Sequence, residues 1–278
     1  MILLCTTLLL APCAPLPAPA AAAPVQSSSL KEKIKEYGAI LSSREREDEA
    51  IALIDGFLVT FKAAESRSVN LAAELEAGGD ERELKKEIRE LDKEMDAVAD
   101  AVQEALTHKR RKEVNAQNLQ LWKVAAYALG QMGARGAPRL WEAFEDKKRF
   151  GDEPDLRGLF LEQIGQTRNY ADTEALVDLL DHSEYLFIAR AADALAYFGE
   201  APGSERRMAV DNLVKLLAEY YESHAQDPSD VEAQEKYRKT GPSMIKALEA
   251  LTGTTQPEPL AWRTWFNKHK DDAELWSD

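Results

Sequence analysis

Three copies of one pattern decide the fold of this chain: VAAYALGQMG at Val124–Gly133, LFLEQIG at Leu159–Gly165 and IARAADALAYFG at Ile188–Gly199. Each copy is an apolar helical face closed by glycine. The closing glycines stand at positions 133, 165 and 199, so the pattern recurs after 32 and then 34 residues. A fixed period in this range is typical of repeat proteins, in which each unit buries its apolar face against its neighbours. The stretch therefore predicts an all-α repeat architecture in which the glycines are helix stops.

The N-terminal segment has the pattern of a secretory signal peptide. Its apolar run, Ile2–Ala11, is too short to span a bilayer as a helix, which takes about 20 residues. A segment rich in alanine and proline follows, and Ala20–Ala22 within it fits a cleavage site. We therefore expect a signal peptide at 1–23, a linker at 24–28 and an exported, periplasmic or extracellular protein. Because no Lys or Arg precedes the apolar run, a cytoplasmic protein with an Ala/Pro-rich tail is the alternative.

Both cysteines, Cys5 and Cys13, lie in this segment. Cys13 follows the apolar run, so lipid anchoring at Cys13 is a further alternative, which Pro12 directly before it disfavours. Removal of the signal peptide would leave no cysteine, and this excludes disulfides, thiolate metal sites and a cysteine nucleophile from the mature chain.

The chain is acidic, with a formal net charge of −14. An acidic protein repels phosphate backbones, so nucleic acid is not expected as a partner. After signal removal the sequence contains no apolar run long enough for an integral membrane span.

Residues 29–114 are predicted to form an N-terminal helical, coiled-coil-like section. Ser29 with Glu32 has the capping-box spacing, and Ser42 with Glu45 repeats it. A later helix carries apolar residues at alternating steps of four and three, the spacing of a coiled-coil seam: Leu84, Ile88, Leu91, Met95, Val98, Val102 and Ala105. The preceding Gly78–Gly79 turn favours an intramolecular antiparallel hairpin, and homodimerisation through these helices is the alternative.

A dense basic run, Lys109–Lys112, ends this section. Cations near a helix C-terminus interact favourably with exposed carbonyls and with the helix dipole. This structural role is the preferred interpretation, and an anion-binding patch is the alternative.

Ile188–Leu195 resembles the first helix of a HEAT-like repeat, of the short bacterial type that also occurs in phycobilisome lyases. In that family an Arg precedes an alanine-rich face that ends in Leu, and Gly then closes the helix. Glu174–Asp181 resembles the second helix of such a unit, and Ala137–Glu145 and Met208–Tyr221 fill the same slot in neighbouring units. The resemblance implies a HEAT-like α-solenoid of about four units over 115–257, and it implies no particular activity.

The last predicted unit differs from the others. A polar insertion at 222–241 precedes it, with a short helix expected from Asp230 to Arg238 and the final repeat helix starting at Gly241–Pro242. A tryptophan-rich tail, 258–278, follows and resembles the Thr-Gly then Trp-x-x-Trp endings of some bacterial envelope HEAT proteins. Trp262 and Trp265 are expected to cap the open end of the array, and ligand stacking on them is the alternative.

Signatures of chemistry are missing from the sequence. The four histidines lack metal-ligand spacing, and no nucleophile elbow, phosphate loop or dinucleotide fingerprint occurs. We therefore expect no catalytic residues, no cofactor and no metal.

The predicted function is that of a non-catalytic protein–protein interaction scaffold or adaptor. Candidate contact residues are exposed positions of the second helices: Arg139, Glu142, Asp178 and Lys215. The alternative is an enzyme or enzyme subunit of lyase type that uses the array as a substrate-binding surface.

Overall fold

The computed structural model describes residues 29–43 and 45–278, and this part of the chain is all-α. It contains twelve α-helices and no strand, and none of these helices is long and apolar enough to cross a bilayer. The predicted signal peptide, linker and anchoring at Cys13 concern residues outside the described ranges. The helices are α1 (Leu30–Leu41), α2 (Glu47–Glu76), α3 (Glu81–Thr107), α4 (Ala116–Gly130), α5 (Ala137–Glu145), α6 (Lys147–Phe150), α7 (Pro154–Gln166), α8 (Thr173–Asp178), α9 (Tyr185–Leu195), α10 (Gly203–Gln226), α11 (Val231–Thr252) and α12 (Pro259–His269).

Helices α1 to α3 form the N-terminal section. The Ser29–Glu32 capping box at the start of α1 is confirmed. The second predicted cap is wrong, because the Ser42 hydroxyl donates to the Gly38 carbonyl at 2.9 Å and ends α1, while α2 begins only at Glu47. Gly78, with a φ of 90°, turns the chain between α2 and α3, which pack against each other within one chain.

The predicted seam of α3 divides into two halves. Its C-terminal half is buried against α1, α2 and α4 through Met95, Val98, Val102 and Ala105. Its N-terminal half is only partly buried, and no residue from Glu81 to Glu94 is fully enclosed. The distal half of the α2–α3 hairpin therefore has packing between two helices only.

From α4 onwards one set of helices packs in sequence. The three repeat patterns lie on α4, α7 and α9. Helix α4 packs against α7, α7 against α9, and α9 against α11. On the other side α8 packs against α10, and α10 against α12. The predicted second helix Ala137–Glu145 is confirmed with the same bounds as α5, and Met208–Tyr221 lies within α10.

The three closing glycines differ in their roles. Gly133, with a φ of 58°, adopts the left-handed conformation that allows the chain to leave α4. Gly165 instead lies inside α7, where a Cβ atom would stand 2.5 Å from the Ala194 Cα of α9. At Gly199 a Cβ would stand 2.7 Å from the Ala250 carbonyl oxygen. Both glycines allow neighbouring helices to approach. Gly199 also ends the helical run that continues from α9 through Ala196–Phe198, as predicted, whereas Gly165 lies inside α7 and the prediction that it is a helix stop is wrong.

The segment 222–241 is helical except for a turn at 227–230. Helix α10 continues to Gln226, a turn follows, and α11 begins at Val231 with the Asp230 carboxylate accepting from the amides of Glu232 and Ala233. Pro242 lies inside α11 and does not start a helix, so the predicted break at Gly241–Pro242 is wrong. The long α10 and α11 thus extend beyond the neighbouring helices as a hairpin.

One continuous hydrophobic core runs through the described residues. It extends from Tyr37 and Leu41 in α1 to Trp262 and Phe266 in α12 without interruption. This core joins the N-terminal helices to the helices from α4 onwards, since α2 and α3 both pack against α4.

Candidate interaction surface

Two rows of charged residues lie on the outer faces of α8 and α10. Glu174, Asp178 and Asp181 follow one another at helical spacing from α8 into the turn after it, and Asp211, Lys215 and Glu219 do so on α10. All six side chains are exposed, and none forms an ion pair with a described residue. Because α8 packs against α10, the two rows lie on neighbouring helices. We call the five carboxylates of these rows the acidic ridge.

Contacts of the buried Tyr220 lie beneath the acidic ridge. Tyr220, at the inner side of α10, donates a hydrogen bond from its hydroxyl to the Leu180 carbonyl at 3.2 Å. Burial, and then the neighbouring charge of Asp181, raise the pKa of Tyr220 to about 12, so this donor stays protonated at neutral pH. The ammonium group of Lys236 in α11 lies 3.8 Å from the centre of the Tyr220 ring. These contacts fix the position of α8 relative to α10 and α11.

The four predicted contact residues fall into two groups. Asp178 and Lys215 belong to the exposed rows just described. Arg139 and Glu142, on α5, are engaged within the chain: the Arg139 guanidinium donates to the Asp100 carboxylate, and the Gln103 side-chain amide donates to Glu142. They connect α5 to α3, so they are less accessible to a partner than Asp178 and Lys215.

Trp262 and Trp265 lie on α12 at the end of the stack. Trp262 is fully buried, and its ring meets that of Trp265 edge to face with centroids 5.9 Å apart. Trp265 is partly exposed, and its other ring contact is with His269. The burial of Trp262 leaves no ring face for a ligand, whereas Trp265 retains exposed area.

The tail after α12 folds back onto the start of α10. The Asp278 carboxylate accepts a hydrogen bond from the Gly203 amide at 2.7 Å, and the Arg206 guanidinium donates to the carbonyls of Leu275 and Ser277, each at 3.0 Å. A Cβ at position 203 would stand 1.8 Å from the Trp276 carbonyl oxygen, so only glycine permits this approach. The tail therefore covers the end of the stack through backbone contacts that the tryptophan pattern does not reveal.

Arginine side chains with little exposure connect helices by donating hydrogen bonds to the carbonyls at helix C-termini. Arg111, from the basic run, is 2% exposed and donates to the carbonyls of Leu41 at 3.1 Å and of Ser43, at the end of α1, while it also pairs with Glu47. Arg149 does the same at the end of α3, where it donates to the Thr107 carbonyl at 2.7 Å. The predicted role of the basic run as a partner of helix carbonyls is thus present for Arg111, but the helix concerned is α1 rather than α3.

Arg157 in α7 also bonds to a helix carbonyl. It is 4% exposed, donates to the Phe144 carbonyl at 3.0 Å and contacts the rings of Phe144 and Phe187, 4.7 and 4.6 Å from their centres. Burial lowers the pKa of Arg157, which remains charged because the starting value is so high. The sequence gives no indication of these two aromatic contacts.

A depression of about 570 Å³ lies at the starts of α7 and α9. Pro154, Leu186 and Ala189 supply apolar walls, and Lys239 and Glu184 supply charge of opposite sign. Such an open, mixed lining suits a side chain of a bound protein. No group of three metal-ligating side chains occurs within the ranges that the structure describes.

No protein-family model, no curated protein and no solved structure matches this chain.

Proposed function

We propose that this protein is a non-catalytic interaction scaffold built on HEAT-like repeats, that it is exported to the cell envelope, and that its partner binds the acidic ridge through a basic surface. The repeat assignment is supported by the order of packing, in which α4, α7, α9 and α11 follow one another with second helices between them. Export is supported by the signal-like pattern of residues 1–23.

The acidic ridge is the observation that carries the choice of partner. Glu174 and Asp178 on α8 are four residues apart, and carboxylates at this spacing repel each other. In α10, Lys215 stands between Asp211 and Glu219 and leaves a net negative row. None of the five ridge carboxylates forms an ion pair with a described residue, so binding of a basic surface would relieve this repulsion. Electrostatic attraction of this kind raises association rates and selects partners more than it adds affinity.

Affinity capture from the native source tests the proposal. Extracts are passed over the wild-type protein, over the ridge variant D178K/E219K and over the control variant E76K/E83K, which reverses two exposed carboxylates on the α2–α3 hairpin. We expect partners to be captured by the wild type and by the control, and lost by the ridge variant. Cross-linking mass spectrometry of the wild-type complex should then locate cross-links next to α8 and α10.

Capture of the same partners by the ridge variant would refute binding at the ridge. The scaffold proposal as a whole fails if turnover of a substrate is found instead. Mass spectrometry of the N-terminus of the native protein tests export independently, since processing near Ala20–Ala22 is the expected result.

A further inference from the structure

Helix α2 carries a second unpartnered surface, on the face opposite its core contacts. Ile54, Phe57 and Phe61 face inwards and are buried. The opposite face is exposed and uncharged, and its residues recur at alternating steps of four and three: Ala52, Gly56, Val59, Ala63, Ser66, Asn70 and Ala73. Val59 at its centre is 71% exposed, one of the most exposed large apolar side chains in the described chain. We call this the outer face of α2.

We propose that the outer face of α2 binds the same face of a second copy of this chain, with the two helices antiparallel and Val59 packed near Val59 at the two-fold axis. The steps of four and three are those of a helix–helix seam, and the small side chains on either side of Val59 allow close approach. A Cβ at Gly56 would meet no atom of its own chain within 4 Å, so the groove is open there. This surface is separate from the acidic ridge and does not depend on the proposed function.

The charged residues beside the outer face of α2 favour a second copy of this chain as the partner. With Val59 at the axis, Asp55 lies opposite Lys62 of the second copy, and the symmetry repeats this pair. Farther out, on the other flank, Glu49 lies opposite Arg67 in the same register. All four residues are exposed, and three of them already form exposed ion pairs in their own chain: Glu49 with Arg46, Lys62 with Glu65 and Arg67 with Glu87. Exposed pairs of this kind contribute little to stability, so these side chains can exchange partners with a second chain. One register thus places opposite charges across the interface at four points, which is the role of flanking charges in helix pairing.

Other pairings of the same face are less favourable. A parallel pair would place Lys62 beside Arg67 of the second copy, and an antiparallel pair centred on the middle of the face would place Lys62 beside Lys62. Like charges across an interface disfavour the wrong arrangement. The antiparallel pair centred on Val59 is therefore the arrangement that the sequence of α2 fits.

The size of the contact determines how strong the dimer is expected to be. In this register about 24 residues of each α2 overlap, which is ~36 Å of helix with a width of ~10 Å. The footprint of roughly 360 Å² per copy is below the ~800 Å² of a standard stable interface. We therefore expect a monomer–dimer equilibrium that depends on concentration rather than an obligate dimer.

Sedimentation velocity of the full chain from about 1 µM to about 1 mM tests the proposal, since this range covers weak self-association. The wild type is expected to shift from monomer to dimer across the range. V59E places two carboxylates at the axis and should raise the dissociation constant at least about tenfold. V231E, at an equally exposed valine on α11, is the matched control and should behave as the wild type.

A charge swap identifies the register. D55K alone creates like charges beside Lys62 of the second copy and should weaken the dimer, whereas D55K/K62D restores opposite charges and should recover wild-type association. Far-UV circular dichroism confirms that each variant is folded. The proposal is overturned if the wild type stays monomeric at the highest concentration, if V59E dimerises as the wild type does, or if the double swap fails to recover what D55K loses.

Discussion

Helix α9 and the distal half of the α2–α3 hairpin differ in how completely their apolar side chains are buried. In α9, Phe187, Ile188, Ala191, Ala192, Ala194 and Leu195 are all fully buried, because α7, α8 and α11 enclose the helix. In the distal hairpin the apolar residues Leu84, Ile88 and Leu91 remain partly exposed. Ion pairs on the surface accompany them there, such as Arg67 with Glu87 at 3.1 Å. Exposed pairs of this kind contribute little to stability. The number of neighbouring helices, more than the quality of the apolar pattern, therefore decides how much each region contributes.

Two isoleucines provide the largest test of this contrast. Ile188→Ala in α9 leaves a cavity at a fully buried site, and we expect a loss of about 4 kcal/mol in the free energy of unfolding. Ile88→Ala removes the same atoms from a partly exposed site in α3, where solvent already reaches the side chain, and should cost about 1 kcal/mol.

Urea unfolding followed by two probes measures both changes. All tryptophans lie from Trp122 onwards, so their fluorescence reports on the helices from α4 to α12, whereas far-UV circular dichroism reports on every helix. Because the core is continuous, we expect the two probes to give one transition. Equal losses for the two variants would contradict the contrast between the regions.

Two glycines test the same contrast with substitutions that add an atom instead of removing atoms, and the expected changes in stability are smaller. Gly165→Ala forces a Cβ against the backbone of Ala194, so the packed helices α7 and α9 must separate, at a cost of about 2 kcal/mol. Gly56→Ala, in the exposed interior of α2, meets open space and should stabilise the protein by about 0.5–1 kcal/mol. Thermal unfolding at low protein concentration, where the proposed dimer is dissociated, gives the two signs. A stabilising Gly165→Ala would show that the helices have room to adjust.

These glycines also mark how far the sequence could predict the structure. The periodic pattern predicted the helices well, and the bounds of α5 were correct, because apolar spacing along one helix is local information. Whether a glycine ends a helix or admits a neighbour depends on a residue far away in sequence, as Ala194 does for Gly165. The sequence contains no local signal for that distinction.

The same reasoning applies to the candidate surfaces. Asp178 and Lys215 could be identified as exposed because helical spacing places them away from the apolar face. Arg139 has the same local pattern, yet Asp100 from α3 engages it, which only the packing of α5 on α3 reveals. The prediction at Pro242 was wrong for a related reason. Proline usually begins a helix, but α11 continues past Pro242 because neighbouring elements stabilise it.

The smallest expected effect concerns His108, which ends α3 at the place where α1, α3 and α6 meet. Its Nε2 lies 3.5 Å from the Ser42 hydroxyl, and its Nδ1 accepts a hydrogen bond from the Arg110 amide at 3.3 Å. Burial, with a contribution from the nearby charges of Arg110, Arg111 and Arg149, lowers the pKa of His108 below the ordinary value of 6.5, although Glu104 acts in the opposite direction. The folded protein therefore favours the neutral imidazole.

A lowered pKa in the folded state means that the unfolded chain takes up the proton first as the pH falls. The contribution of His108 to stability is thus complete above a pH of about 6.5 and is lost on acidification below it. We expect urea unfolding of the wild type at pH 5.5 to show a larger loss, relative to pH 7.5, than that of His108→Gln, which has no titrating ring. Carboxylates elsewhere titrate equally in both proteins, so the difference between them isolates His108. An identical pH dependence of the two proteins would mean that the place where α1, α3 and α6 meet does not respond to protonation, and that these helices meet there through their arginine contacts alone.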